Sequence, residues 1–484
     1  MICSKFARNI KNSNNMAKKN NNNLEIFTIW SDEIESRLDP YFYRVYFREL
    51  EKELHDCKFT LAKLEDVCSA IRGVTYSNED EVEEGLKILR ANNITLATNE
   101  LNFDDVRNIK ADFAVTKEQQ LKTGDILMSA ASGSKAHVGK VAYIAEDLDF
   151  YFGSFMMVLR TNGKINPQYL FEFLSSKIFR GLLFRILGGT NINNLNFSMI
   201  KDFEIPLPSL AIQNKIAQTA NKNREKAKEL EKEARKIVAS IDNFVLGELG
   251  IEIERERERE RVAFAITSDE IKGRLDPFFY KPYFKTLQKA IESKNYSELG
   301  ELVEFAKETW DQKSVFGDQF PYIEISNIDT SNGEIAKTDF VPVAEAPSRA
   351  KMVVREGDII VSTTRPNRGA ITPISKEQDG FIASTGFAIL RDLKNSKVLK
   401  DYLFVALRTS LSLRQMEQRT TGGNYPAITT EDLRKIKIVV PEIKTQEKIV
   451  SGVKRIYNQA RNLRQEAEIV ISEAQKQTAE MIFA

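Results

Sequence analysis

Two long stretches of the chain place a residue of a mainly apolar seam, broken only by Asn223 and Gln477, at alternating steps of four and three. The first seam runs Ile216, Ala220, Asn223, Ala227, Leu230, Ala234, Ile237, Ile241, Phe244. The second runs Ile449, Val453, Ile456, Ala460, Leu463, Ala467, Val470, Ala474, Gln477, Met481. That period is a heptad, so each stretch predicts an amphipathic helix with a coiled-coil seam. About 35 to 40 residues at 1.5 Å each make a helix on the order of 55 Å long. A helix of that length needs a partner, and the alanines of the two seams predict close antiparallel packing of one helix on the other. Each helix follows a short apolar strand closed by proline, FEIPLP ending at Pro208 and IKIVVP ending at Pro441. Upstream of each lie roughly 150 residues of short β-branched and aromatic runs broken by Gly, Asn and Asp. Within these, helical patterns fall near 167–187 and 398–417. The alternation predicts globe, helix, globe, helix, with α+β globes.

The two halves are copies. SDEIESRLDPYFYRVYFRELEKEL, starting at Ser31, matches SDEIKGRLDPFFYKPYFKTLQKAI, starting at Ser268, at fourteen of twenty-four positions. The offset is 237 at Asp39 and Asp276, then 234 at LKILRANNI against FPYIEISNI, and 233 from Gly124-Asp125-Ile126 and Gly357-Asp358-Ile359 onward. Small loop insertions separate the copies, and the helix register survives. A tandem repeat of this kind sets the architecture. The expected fold class is two tandem α+β domains related by a pseudo-two-fold and joined by two long helices in an antiparallel coiled coil. The expected boundaries are a polar tail over 1–23, a first globe over 24–208, a first long helix over 209–249, a charged linker over 250–266, a second globe over 267–441 and a second long helix over 442–484. The alternating Glu and Arg of 254–261 reads as a solvated link. Asp39 and Asp276 read as helix starts with proline in the first position.

Composition narrows the chemistry. The 484 residues carry 70 Lys and Arg against 69 Asp and Glu, a net charge of +1, so any contact with nucleic acid has to be local. Two histidines, His55 and His137, leave little room for a Ser-His-Asp relay or a histidine metal site. The three cysteines, Cys3, Cys57 and Cys68, make neither a disulfide framework nor a zinc set, and point to a reducing cytoplasm. No run approaches the roughly 18 apolar residues of a membrane span. Asp39-Pro40-Tyr41 and Asp276-Pro277-Phe278 have one proline where an adenine methyltransferase motif has two, and no glycine-rich cofactor loop follows a strand.

The paired R-L-D-P-x-F-Y blocks (37–43 and 274–280), the paired Gly-Asp-Ile strands, and the glycine-bearing stretches that lead into IPLPSLAIQNKI (205–216) and VVPEIKTQEKI (439–449) together resemble the specificity subunit of type I restriction-modification systems. The family's proline-proline-leucine-x-glutamate-glutamine is altered here, with Ala211-Ile212 before Gln213 and Thr445 before Gln446. The resemblance covers nearly everything after residue 25. It implies a non-enzymatic reader of double-stranded DNA whose globes are target-recognition domains, each for one half of a bipartite site. It also implies two adenine methyltransferase (modification) subunits as partners, which carry the S-adenosylmethionine and the catalytic residues, with restriction and translocation subunits as further partners. No metal or cofactor is expected on this chain. A coiled-coil scaffold without a DNA role, and a methyltransferase in its own right, are the alternatives.

Base readout needs forked side chains on loops that enter the major groove. In the first globe the loop after the Gly-Asp-Ile strand offers Ser134, Lys135, His137 and Lys140, and in the second the aligned loop offers Arg365, Asn367 and Arg368. A second pair of loops offers Arg72, Thr75 and Tyr76 in one copy and Lys313, beside Trp310 and Gln312, in the other. Asn424 and Tyr425, in the second glycine-rich stretch, complete the expected contacts. If the first long helix sets the gap between half-sites, seven residues inserted after Ala227, matched by seven after Ala460, add about 10.5 Å, or about three base pairs of spacer. Methylome sequencing is expected to show the same half-sites with the longer gap, and unchanged spacing from a stable, active variant would remove the helices as the ruler.

Overall fold

A computed structural model describes residues 27–29, 34, 37–96, 98–132, 137–188, 194–253, 264–267, 271, 273–313 and 315–483. The polar tail, most of the Glu-Arg linker, and Ser134 and Lys135 lie outside the described residues. The chain forms two compact units, 1–228 with 467–484 and 229–466. Among the described residues no helix is long and apolar enough to cross a membrane.

Each unit repeats one plan. The Arg-Leu-Asp-Pro block opens it. Asp39 accepts the Phe42 amide at 3.1 Å and Asp276 the Phe279 amide at 3.0 Å, each capping a 3-10 turn that starts on proline. The Tyr43 and Tyr280 hydroxyls donate to the carbonyls of Arg37 and Arg274 at 2.6 and 2.7 Å, closing the block on itself. The helices Val45–His55 and Pro282–Glu292 follow, and bury Phe47, Leu50 and Leu54, or Phe284, Leu287 and Ile291.

In the first unit an antiparallel sheet runs in the order Cys68–Arg72, Met156–Thr161, Ile126–Ser129, Val141–Tyr143. The second has the same sheet from Val303–Ala306, Phe387–Leu393, Ile359–Ser362 and Ile371–Pro373. The paired Gly-Asp-Ile motif enters the third strand of each. Gly124 and Gly357 sit at φ +87° and +80°, where a side chain is disfavoured. The buried carboxylates of Asp125 and Asp358 receive Arg160 and Arg391 from the neighbouring strand. A second four-stranded sheet lies beside the first in each copy. It pairs Leu86–Leu89 in parallel with Tyr151–Phe152, and Gln319–Ile323 in parallel with Ile382–Ser384. The copies part at its edges: the first unit adds Glu81–Val82 beyond Arg107–Ile109, whereas the second adds Ala350–Val353 on the other side.

The helical patterns at 167–187 and 398–417 are each two helices, Pro167–Ser175 with Lys177–Leu187 and Lys400–Leu407 with Ser410–Gln418. Ser176 leaves helical geometry at ψ 156° and accepts the Phe179 amide, so it ends one helix and caps the next. The first long helix likewise divides into Leu210–Ala239 and Ile241–Leu249, and the second runs unbroken over Ile443–Ile482.

Within each unit the long helices run antiparallel. In the first, Ile216 near the start of one shares a core with Ile482 at the end of the other. In the second, Val245 and Leu246 near the end of one share a core with Ile449 and Val453 near the start of the other. The buried seam is largely alanine: Ala220, Ala227, Ala234, Ala460, Ala467 and Ala474 are all buried, while Asn223, Leu230, Ile237, Ile456, Leu463 and Val470 are half-buried. The seam ends differently from its heptad reading, because Gln477 is exposed and Thr478 takes the buried place.

Stepping the seam back three residues from Ile216 and Ile449 reaches Gln213 and Gln446, both buried. Gln213 accepts the Asn166 amide at 2.7 Å and donates to the Pro208 carbonyl at 2.8 Å. Gln446 accepts the Leu399 amide and donates to the Pro441 and Lys397 carbonyls, each at 2.8 Å. Each amide fastens the first turn of a long helix to the N-terminus of a globe helix. Gln446→Leu leaves an N–H and two carbonyls unpaired inside the protein, and is expected to cost about 3 kcal/mol. Urea unfolding of the full chain reads this as a lower midpoint; an unchanged midpoint would remove the glutamine as an anchor.

Candidate nucleic-acid interface

The loop after each Gly-Asp-Ile strand meets the stretch that follows the glycine-rich run, through the same backbone bonds in both copies. Ala131 bridges Asn194, and Thr364 bridges Ala427. The Leu195 amide donates to Ala130, and the Ile428 amide to Thr363. All four partners correspond at the offset of 233. The strand on the other side also contributes: the Phe155 carbonyl accepts the amides of Ala130 and Ala131, and the Gly386 carbonyl accepts the amide of Thr363. Each unit thus holds a loop tip on a frame of main-chain hydrogen bonds, free to carry its own side chains.

In the second unit the tip is built around Arg365. Its backbone lies in the left-handed region at φ +47°, and its amide donates to the Pro426 carbonyl at 2.7 Å. Strain of this kind is held in place by the surrounding structure and is frequent at functional sites. The guanidinium stacks 4.8 Å from the Tyr425 ring centre, and its Nη2 donates to the Asn424 carbonyl at 2.7 Å. The structure therefore brings Arg365, Asn424 and Tyr425 together, and Tyr425 is 73% exposed. Asn367 donates to Glu417 at 3.2 Å, and Arg368 is exposed beside it.

The first unit's tip differs in chemistry. His137 is half-buried. Arg72 is exposed at the end of the strand paired with Met156–Thr161, and the next amide, of Gly73, donates to Met156, so Arg72 stands at the same end of the sheet as the tip. Phe155, which the sequence patterns did not single out, is 67% exposed there. Its signal is faint: one aromatic at the head of an apolar strand. Thr75 and Lys313 are exposed on the other loops.

Two expected contacts, Lys140 and Tyr76, are corrected, and the neighbours of Lys313 prove to be internal. Lys140 is buried and its ammonium donates to the Ile94 carbonyl at 2.7 Å, so it faces the interior. Tyr76 packs on the small core of Val74, Ile88 and Ile109, and burial pushes its phenol up. Trp310 is core, with its ring centre 5.2 and 4.7 Å from those of Phe316 and Phe320, and Gln312 donates to the Pro347 and Ala350 carbonyls. Among the described residues no group of three or more His, Cys, Asp or Glu side chains is placed to hold a metal ion.

The family described as "Type I restriction modification DNA specificity domain" matches the chain twice, over residues 58–238 and 291–471. The chain belongs to this family. The type I restriction enzyme StySPI specificity subunit of Salmonella potsdam is 35% identical over 162 residues, 32% of this chain and 34% of that protein. The match thus spans about a third of that relative's length. The type I restriction enzyme MjaVIII specificity subunit of Methanocaldococcus jannaschii is 24% identical over 388 residues, 76% of this chain and 80% of its own length. Among solved structures, the type I restriction-modification system S subunit from M. genitalium aligns over 88% of this chain and 96% of its own, at 15% identity and a TM-score of 0.39.

The two specificity domains divide the polar side chains into framework and tip, and Lys140 belongs to the framework. Lys140→Met is expected to cost about 1 kcal/mol through the lost bond to Ile94. It should leave the salt dependence of DNA binding unchanged, whereas a lost phosphate contact would lower the slope by about one. Burial holds the Lys140 ammonium below the ordinary value of 10.5. The unfolded chain thus binds the proton more readily, and stability rises with pH between the lowered value and 10.5. The variant should lack that rise when paired denaturation series are compared.

Proposed function

We propose that this chain is the non-catalytic DNA-sequence-specificity subunit of a type I restriction-modification complex in the cytoplasm. Each specificity domain reads one half of a bipartite double-stranded site. Two adenine methyltransferase subunits bind the chain, hold S-adenosylmethionine and supply the catalytic residues; restriction and translocation subunits are further partners. The observation that carries this reading is the pair of loop tips seated on the same main-chain bonds but furnished with different letters. Two readers of unlike codes need that arrangement. A net charge of +1 also suits a chain whose DNA affinity is completed by its partners.

In the second domain, Arg365 is the base reader best supported. With Nη2 bonded to Asn424 and the plane stacked on Tyr425, the rest of the guanidinium edge remains for guanine O6 and N7. Arg368 and Asn367 flank it, and Tyr425 offers an aromatic face. In the first domain Arg72, Thr75, Ser134, Lys135 and His137 supply the contacts.

Methyl transfer to DNA carrying the site is expected from the chain combined with its modification subunits, and from neither alone. In that complex, Arg365→Ala should relax one base pair of one half-site by about 1 to 3 kcal/mol, on the order of five- to a hundredfold, and leave the other half-site unchanged. Methyl transfer by the isolated chain would overturn the reading. Equal weakening of both half-sites would make Arg365 a phosphate contact.

A further inference from the structure

The Arg-Leu-Asp-Pro block uses all but one of its side chains internally. Arg37 pairs with Asp39 and donates to the carbonyls of Ile186 and Gly188; Arg274 pairs with Asp276 and donates to Arg419. The aspartates cap their turns and the tyrosines close the block. The leucines do none of this. Leu38 is 84% exposed and Leu275 is 85% exposed, in the same place in both copies. Ile34 and Ile271, four residues earlier, are exposed as well. Further upstream Phe27 and Ile29 match Phe264 and Ile266, all half-buried. These four apolar letters recur at the offset of 237, and none belongs to a core cluster among the described residues. In the first copy they join Pro40 and Tyr43 around an open pocket of about 380 Å³.

Folding gives no reason to keep large apolar side chains in water at two equivalent places, and a patch of this kind marks a site of association. We infer that each Phe-x-Ile, Ile, Leu patch seats an apolar segment of one modification subunit, so that the chain offers two equal seats. The inference rests on the proposed function. Charge decides against DNA: Arg37 is the one cation lining the first pocket among the described residues, and it is spent on Asp39 and two carbonyls. Repetition decides for one partner taken twice, because the same letters at the same spacing suit the same occupant.

Native mass spectrometry of the full chain mixed with modification subunits tests this. Wild type should carry two subunits. Leu38→Glu and Leu275→Glu should each weaken one seat on the order of thirtyfold, leaving a one-subunit complex, and the double variant should carry none at the same concentration. Leu38→Met with Leu275→Met should restore two. Because both leucines are exposed, thermal unfolding should not change, which separates a lost seat from a lost fold. Two subunits held by the double variant at unchanged affinity would overturn the inference alone. So would a wild-type chain that dimerises by itself and loses that dimer in the double variant, which would assign the patch to a second copy, or a double variant that loses only DNA affinity. A wild-type chain that takes up no modification subunit would overturn the proposed function and this inference together.

Discussion

A buried primary amide must find partners for its oxygen and its two N–H groups, because leaving them dry and unpaired costs more than a hydrogen bond returns. Gln446 meets that demand in full, and Gln213 meets it for its oxygen and one N–H, with main-chain groups from two other segments, the proline-closed strand end and the start of a globe helix. The long helices need such directional anchors because their own seams are built on alanine. Alanines let two backbones approach closely but bury little apolar area, so they fix spacing better than orientation. The globe helices complete the joint, since the Tyr169 and Tyr402 hydroxyls donate to Pro206 and Val439 in the strands that lead into the long helices. Loop tips held on the globe are in turn only as well placed as this joint.

Periodic features were legible because they repeat. The heptad marks the long helices, and the offsets of 237, 234 and 233 mark the duplicated domains and their aligned loops. Single residues were less legible, because burial depends on partners far along the chain. Lys140 has the letters of a glycine-rich DNA loop, yet its fate is set by a carbonyl 46 residues away. Gln213 and Gln446 stand where the family motif ends, and their place on the backward-extended seam is the signal that identifies them as internal. The breaks at Ser176 and Ser240 escape periodicity because apolar spacing continues across them. The Arg365, Asn424 and Tyr425 cluster joins residues about sixty apart; each was legible as a donor or an aromatic, but their meeting was not.

The duplication is not uniform, and one exchange shows how the copies keep their identities. In the first unit the buried Glu172 is held by both terminal nitrogens of Arg224 from the long helix, and Arg224 also stacks on Phe171. At the matching positions, 233 residues on, the second unit has Val405 and Tyr457, with Tyr457 packed on its apolar core. A buried carboxylate deprived of its cation is strongly destabilising, whereas an apolar pair in the same place satisfies itself. A long helix docked on the wrong globe would set Glu172 against Tyr457, or Arg224 against Val405. The exchange thus favours one pairing over the other without altering the shared plan.

The same logic reaches the tips. Phe155 and Gly386 each accept an amide of the loop beside them at matching positions, Ala130 and Thr363, so the frame under the tip is shared by both domains. Their side chains are the two extremes, an exposed aromatic ring and nothing. The space beside Gly386 is filled by Ile325. At the second tip Arg365 has a strained backbone, a stack on Tyr425 and a bond to Asn424, which fix a side chain that would otherwise lose about 2 kcal/mol of rotamer entropy on binding. Preorganisation of that sort moves the ordering cost from the encounter to the fold, which is how a single arginine discriminates between bases without a large contact area. The first domain, with Phe155 in front and Arg72 at the sheet end, has to read by another combination of stacking and charge. A frame that holds its main chain constant while exchanging side chains at the tip can change what it reads without changing how it folds.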